Sequence, residues 1–327
     1  MYRKVCVAPM MDCTDRHERF FLRLISKNVL LYTEMIVSEA IDRGDKKKLL
    51  SFNIREKPVA LQLGGSSPKL LANASKIGEE FGYDEINLNL GCPSKKVQKN
   101  KFGACLIKEP NLVAECLNEM QAKTKLPVTV KTRIGYDDVE DYESLFNFIK
   151  TLKFTGVKTF IIHSRKAMLG KFTPKQNLNI PPLKYDMVYK LKEDFKDLEI
   201  IINGGITSLN QIKNHLQKVD GVMIGRSIYH SPYMLADIEK EIFNNNKILS
   251  RQEIIENLIP YVKTEVKKGT RMNQIMRHTL GLFHGQTGSS FWKRYLSENM
   301  CVRDADVKKI DHIMDKVKLA PQARSAG

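Results

Sequence analysis

Short apolar, β-branched runs recur along the first two thirds of the chain, each followed by a stretch able to form a helix. They begin at Val5 (VCVAPM), Leu30 (LLYTEM), Val59 (VALQLG), Glu85 (EINLNLG), Val128 (VTVKTR), Thr159 (TFIIH), Glu199 (EIIING) and Gly221 (GVMIG). Continuous apolar strands separated by helices belong to a parallel sheet covered on both faces. Eight such units over about 230 residues fit a (β/α)8 TIM barrel, whose usual length is about 250 residues. An open doubly wound sheet usually places a GxGxxG turn after its first strand, and here that turn reads Ala8-Pro9-Met10-Met11-Asp12. The expected fold is therefore α/β, with a TIM barrel at its centre.

After Tyr233 the pattern changes. DIEKEIF, ENLIPYVKTEV, IMRHTLGLF and the stretch 307–317 carry apolar residues at helical spacing, punctuated by Gly269, Gly281, Gly285 and Gly288. The expected organisation is a barrel domain over 1–235, a smaller C-terminal all-helical domain over 236–318, and a disordered tail over 319–327.

The formal charge of +16 on 327 residues favours a polyanionic partner, because clustered lysines release counterions when they meet phosphates. The six cysteines include no CxxC pair and no cysteine–histidine metal spacing, which argues against a structural metal and for a reducing cytoplasm. The start, MYRKVCVAPMMD, has no apolar leader core, and no apolar run approaches the ~18 residues that span a bilayer. No obligate protein partner is implied.

In barrels the ligand site lies at the C-terminal ends of the strands. Those ends read Met10, Glu34, Gln62, Asn89, Cys92, Lys131, Arg133, His163, Asn203 and Gly225. Any one of them alone reads as a satisfied structural group; together they describe a ligand site at one mouth. The last two strands run into Asn203-Gly204-Gly205-Ile206 and Gly225-Arg226-Ser227. Loops after strands seven and eight often hold a phosphate with backbone N–H groups, and Arg226 can add a bidentate contact. Lys131 and Gln62 suit a flavin ring, which needs donors for its carbonyls and a positive charge for its reduced form. The alternative for Lys131 is a Schiff-base lysine, as in barrel aldolases. His163 has no second ligand at metal spacing. Cys92 follows a strand bearing two amides, Asn87 and Asn89, and stands in a tight Gly-Cys-Pro turn.

APMMDCTD, VALQLGG, INLNLGCPS, FGACL, VTVKTRIG, FIIHSRKA, INGGI and GVMIGRS, in that order, resemble the motifs of the tRNA-dihydrouridine synthases, flavin enzymes that reduce a uracil ring. The resemblance implies FMN, with Pro9, Met10 and Met11 under the ring and Gln62, Lys131 and His163 on its polar edge. Asn203, Gly204, Gly205, Gly225 and Arg226 would hold the phosphate. NADPH is implied as the reductant, binding transiently because no separate nicotinamide motif is present. Reduction of the uracil C5–C6 bond needs a hydride at C6 and a proton at C5, and a thiol with an ordinary pKa near 8.5 is a suitable acid. Cys92 is the expected donor. Cys6, Cys116 and Cys301 are expected to be packing residues, while Cys105 closes the same loop as Cys92.

A base in folded tRNA must be flipped out to reach a barrel mouth, so a tRNA-binding surface is expected beyond it. Candidates are Asn89 at the mouth, Lys175 and Leu178 after strand six, and Arg277, Lys293 and Arg294 in the helical part. Lys95, Lys96, Lys99, Lys101, Arg165, Lys166, Lys171 and Arg271 are further phosphate candidates, and Trp292 can offer a stacking face. SRKAMLGKFTPKQNLNIPPLKYD and RHTLGLFHGQTGSSFWKRYLSEN resemble the A-type bacterial branch, which acts on uridines 20 and 20a of the D-loop. Met168 stands where that branch tends to carry an aromatic residue, and Leu178 or Asn179 where it tends to carry an arginine. The competing enzyme class is a small-molecule flavin barrel, such as an ene-reductase or a dihydroorotate dehydrogenase-like enzyme.

Overall fold

All eight runs form strands, and every strand pairing is parallel. A computed structural model describes residues 3–170 and 172–300. Lys171, Cys301, the expected helix at 307–317 and the expected tail at 319–327 lie outside the described residues. The strands are β1 (Val5–Val7), β2 (Leu30–Tyr32), β3 (Ile36–Val37), β4 (Val59–Gly64), β5 (Glu85–Leu90), β6 (Val128–Arg133), β7 (Thr159–His163), β8 (Glu199–Asn203) and β9 (Gly221–Ile224). Their order is β2-β1-β9-β8-β7-β6-β5-β4-β3, and a further β2–β4 pairing closes a ring of eight.

The two-residue β3 is an addition to the expected eight, and it pairs only with β4. The expected run LLYTEM breaks after Thr33, whose backbone N–H still donates to Ala60 O at 2.9 Å while its Oγ1 accepts the Gln62 backbone N–H at 3.0 Å. The chain then rejoins the edge of β4 at Ile36.

Several helices between the strands begin at side-chain caps that satisfy otherwise orphaned N–H groups. Asp141 accepts from Ser144 N at 2.7 Å to open Tyr142–Lys153, and a Ser208/Gln211 capping box opens Leu209–Leu216. Inside the ring, Cys6, Ala8, Leu30, Tyr32, Ala60, Ile161, Ile201 and Met223 form a buried cluster. Burial of this layer is the main favourable term for the barrel.

The chain divides into two compact units, Met1–Asp12 with Val29–Gly225, and Cys13–Asn28 with Arg226–Gly327. The first contains the barrel. The second is helical among its described residues and takes helix Arg16–Ile25 from the N-terminal region. Ser26 Oγ donates to Glu239 Oε1 at 2.5 Å and Asn28 Nδ2 donates to Glu239 Oε2 at 2.8 Å, tying that helix's end to Met234–Phe243.

The single helix expected over IMRHTLGLF is instead a short helix, Met272–Met276, and a tight turn, Arg277–Gly281. The Thr279 hydroxyl bonds back to Met276 O at 2.8 Å, and the Thr279 carbonyl accepts the Trp292 indole N–H at 2.9 Å. With those groups engaged, the helical ladder stops. Trp292 is fully buried and packs on Phe283, with ring centroids 5.0 Å apart. It is a core residue, which removes it as a stacking face for RNA.

Candidate active site

Strand alternation places Glu85, Asn87 and Asn89 on one face of β5 and Ile86, Leu88 and Leu90 on the other. The first set forms the interior. Asn89 Oδ1 accepts the backbone N–H groups of Gly91 at 3.1 Å and Cys92 at 3.0 Å, and Asn89 Nδ2 donates to Gln62 Oε1 at 2.8 Å. Asn89 thus anchors the cysteine turn from within the barrel, and Gln62 from β4 lies against it.

The other side of the Cys92 peptide is also fixed. Its carbonyl accepts the Ala104 N–H at 3.0 Å, closing the 92–104 loop on itself. Gly103 makes this possible with φ +75°; a Cβ there would lie 2.5 Å from Val97 Cγ1 and 2.7 Å from Cys92 O, closer than any side chain tolerates. Cys92 itself is half-buried. Lys95, Lys96, Lys99 and Lys101 are exposed around it.

Lys131 and Arg133 come from β6. Burial, and then the Arg133 charge, push the Lys131 ammonium down to about 7, while a Cys92 thiolate would favour its charged form. Lys131 Nζ donates to Asn203 Oδ1 at 3.1 Å, and Asn203 Nδ2 donates to Met223 O at 2.8 Å. The Asn203 side chain therefore holds Lys131 and joins β8 to β9.

Arg133 is buried, and burial lowers its guanidinium to about 10. Its Nε donates to Gly91 O at 2.8 Å, and its Nη1 donates to Lys166 O at 3.1 Å and Asn177 O at 3.4 Å. One side chain thus ties the cysteine turn to the loop that follows β7.

That loop is built rather than loose. Asn177 is fully buried, accepts the Met168 N–H at 2.7 Å, and donates to the carbonyls of Met168, Phe172 and Thr173. Lys166 and Lys184 both pair with Glu140 at 3.1 Å. Lys166 is thereby engaged within the fold, while Lys175 stays exposed and Leu178 half-buried at the end of the short helix Pro174–Asn177.

His163 ends β7 in register with Asn203. Burial, then the charges of Arg133 and Lys131, hold its imidazole well below its ordinary value, so it is neutral at pH 7. Its Nδ1 is buried and meets no side-chain partner among the described residues, while the Arg165 backbone lies close to the ring.

Beside it, Gly204 (φ +118°) and Gly205 (φ +68°) form the turn after β8. A Cβ at Gly204 would approach His163 Nε2 to 3.4 Å, and one at Gly205 would approach Leu183 Cδ1 to 2.5 Å. Tyr185 OH donates to Gly204 O at 2.7 Å and fixes that peptide. The turn presents a backbone cradle that no side chain could share. Pro9 and Met10 are half-buried, Met11 is 58% exposed, and Met10 Sδ packs against Gly225. Arg226 is exposed and opens the helix Arg226–His230.

The neutral His163 imidazole, the depressed lysine and the side-chain-free turn suit a phosphorylated, carbonyl-bearing ring. Among the described residues no group of three potential metal ligands is found, and no described helix is long and apolar enough to cross a membrane. Sequence reasoning singles out Asn87 without giving it a partner, and misses the roles of Thr129, Gly103, Ala104 and Tyr185. The available signal was the inward register of polar residues on β5 and β6.

In the helical unit, Arg277 Nη2 donates to Asp15 Oδ2 at 2.8 Å. His278 is fully buried, 3.1 Å from both Asp15 and Glu18, and these carboxylates outweigh burial to raise its imidazole to about 9. Lys293 and Arg294 are exposed on Ser289–Asn299. Cys6 and Cys116 are buried. Cys105 is half-buried, with its thiol against Phe102 O at 3.1 Å.

Comparison with known proteins accords with this geometry. The tRNA-dihydrouridine(20/20a) synthase of Synechocystis sp. is 52% identical over 300 residues, covering 91% of this chain and 90% of its own. That of Escherichia coli strain K12 is 50% identical over 313 residues, covering 95% and 90%. Among solved structures, a 2-naphthoyl-CoA reductase complex shares the fold, with a TM-score of 0.54 at 12% identity over 73% of this chain and 50% of its own length. The model of the dihydrouridine synthase (Dus) family matches residues 6–318, and this chain belongs to that family.

Proposed function

We propose that this protein reduces uridine in tRNA to dihydrouridine, at positions 20 and 20a, using FMN and NADPH. The observation that carries the chemistry is Cys92, fixed at its N–H by Asn89 and at its carbonyl by Ala104, beside Lys131 and Arg133. The relatives at about half identity bear the name of that activity.

FMN bound here would supply hydride chemistry for the new C6–H bond, with NADPH as the source of the hydride. Cys92 supplies the proton: its S–H bond breaks, a C5–H bond forms, and the thiolate left behind is stabilised by Lys131 and Arg133 until solvent reprotonates it. Gln62, Lys131 and His163 would hold the polar edge of the ring. The Gly204-Gly205 turn, Gly225 and Arg226 would hold the phosphate, and Pro9, Met10 and Met11 would contact the ring. The flipped base comes to Asn89 and Cys92, with Lys175 and Leu178 bordering it.

The helical part binds the tRNA backbone. Replacing both Lys293 and Arg294 by alanine should weaken tRNA binding and lower the slope of log K against log salt by about 0.7–0.9 for each phosphate no longer neutralised. Flavin content should not change. An unchanged slope moves the phosphate-binding role to the lysines around Cys92.

The whole reading is tested by mapping dihydrouridine in tRNA from cells lacking this protein, then adding the purified protein, FMN, NADPH and that tRNA. Loss and restoration at positions 20 and 20a are expected. Intact dihydrouridine in the deletion strain, or turnover of free uridine equal to that of tRNA, overturns it.

A further inference from the structure

The barrel interior contains a continuous line of side-chain hydrogen bonds running from its N-terminal end to the cysteine turn. Arg3 Nε donates to Glu85 Oε2 at 2.6 Å, and Tyr32 OH and Thr129 Oγ1 donate to Glu85 Oε1 at 2.7 and 2.6 Å. Asn87 Nδ2 donates to Thr129 Oγ1 at 2.8 Å, and Gln62 Nε2 to Asn87 Oδ1 at 2.8 Å. Asn89 Nδ2 donates to Gln62 Oε1, and Asn89 Oδ1 receives the Gly91 and Cys92 N–H groups. All of these side chains are at least nine-tenths buried.

An amide can be turned end for end at little cost unless its neighbours dictate the direction. Here both ends of the line dictate it. The Glu85 carboxylate only accepts, so the single Thr129 hydroxyl proton points to it, and Thr129 can only accept from Asn87. Asn87 must then show its nitrogen to Thr129 and its oxygen to Gln62. Gln62 must show its nitrogen to Asn87 and its oxygen to Asn89. Asn89 is left with its oxygen toward the turn, where two backbone N–H groups can only donate. The two ends agree, and reversing any one amide would set donor against donor and acceptor against acceptor in a buried site.

We infer that Glu85, Thr129 and Asn87 are positioning residues that orient the Gln62 and Asn89 amides and, through Asn89, fix the peptide that carries Cys92. The same logic leaves Gln62, Asn87 and Asn89 each with one N–H that the line does not use. The inference rests on the reading of Cys92 as the proton donor for its catalytic consequence, but not for its structural one.

Thr129→Val removes the hydroxyl at nearly constant volume, and Thr129→Ser keeps it. Both are made in the full-length, flavin-loaded protein. With valine, kcat for tRNA should fall about ten- to a hundredfold with KM within about twofold, as expected of a misplaced reacting group. The alkylation rate of Cys92 by iodoacetamide, read by peptide mass spectrometry, should change by about threefold or more as its turn is released. Serine should restore both. Valine protein with wild-type kcat and wild-type alkylation overturns the inference, and so does a serine variant as impaired as valine. Altered alkylation with unchanged kcat supports the line of bonds and overturns Cys92 as proton donor. If valine gives no folded protein, Thr129→Cys, whose thiol accepts weakly, takes its place with the same two readouts.

Discussion

Cys92→Ala is expected to separate the two half-reactions. Flavin reduction by NADPH should proceed at the wild-type rate, while reoxidation by tRNA falls by about 10²–10⁴, the usual contribution of a positioned acid. The separation follows from the geometry, because alanine keeps the backbone N–H bonded to Asn89 and the carbonyl bonded to Ala104. Only the proton is lost. Cys105 is not a substitute, since its thiol lies against Phe102 O at 3.1 Å. Stopped-flow bleaching of the flavin with NADPH, followed by recovery on adding tRNA, reads both steps in one protein. Recovery at the wild-type rate would assign the proton to another group.

The barrel was legible because β-branched runs at regular intervals have few other ways to bury themselves. The polar strand exits were legible for the same reason, since strand ends map to one mouth. Register was harder to read. Two amides on β5 stood out as anomalous, but their partners, Thr129 and Gln62, come from neighbouring strands, and pairing across strands is set by barrel closure and not by local sequence. Arg133 stood among the strand exits as a candidate ligand contact. The structure has it bonded to three carbonyls of two loops, contacts that depend on where the loop after β7 folds. The expected helix through IMRHTLGLF failed on a tertiary event. Trp292, thirteen residues beyond Thr279, takes the Thr279 carbonyl, and periodicity within the segment carries no trace of that.

The second large effect is a pH dependence of flavin binding. Lys131 titrates near 7 in the folded protein and near 10.5 when exposed, lowered by burial and by Arg133. Between those values the unfolded chain keeps a proton that the native protein has shed, so Lys131 makes native stability rise with pH over that window. Bound FMN works in the opposite direction, because ring carbonyls accept hydrogen bonds from the ammonium and so favour it. Binding FMN to the apoprotein should then take up a proton, and affinity should fall by up to about tenfold per pH unit above 7 until the lysine's value in the complex is passed. The range pH 7–9 lies above the phosphate's own second ionisation near 6, so the phosphate adds little slope there. Fluorescence titration of the apoprotein gives the affinity, and calorimetry in buffers of different ionisation enthalpy counts the protons. Lys131→Met should bind FMN more weakly at pH 7 and flatten the profile. Proton uptake equal to wild type in the methionine variant would move the titrating charge to a group other than Lys131.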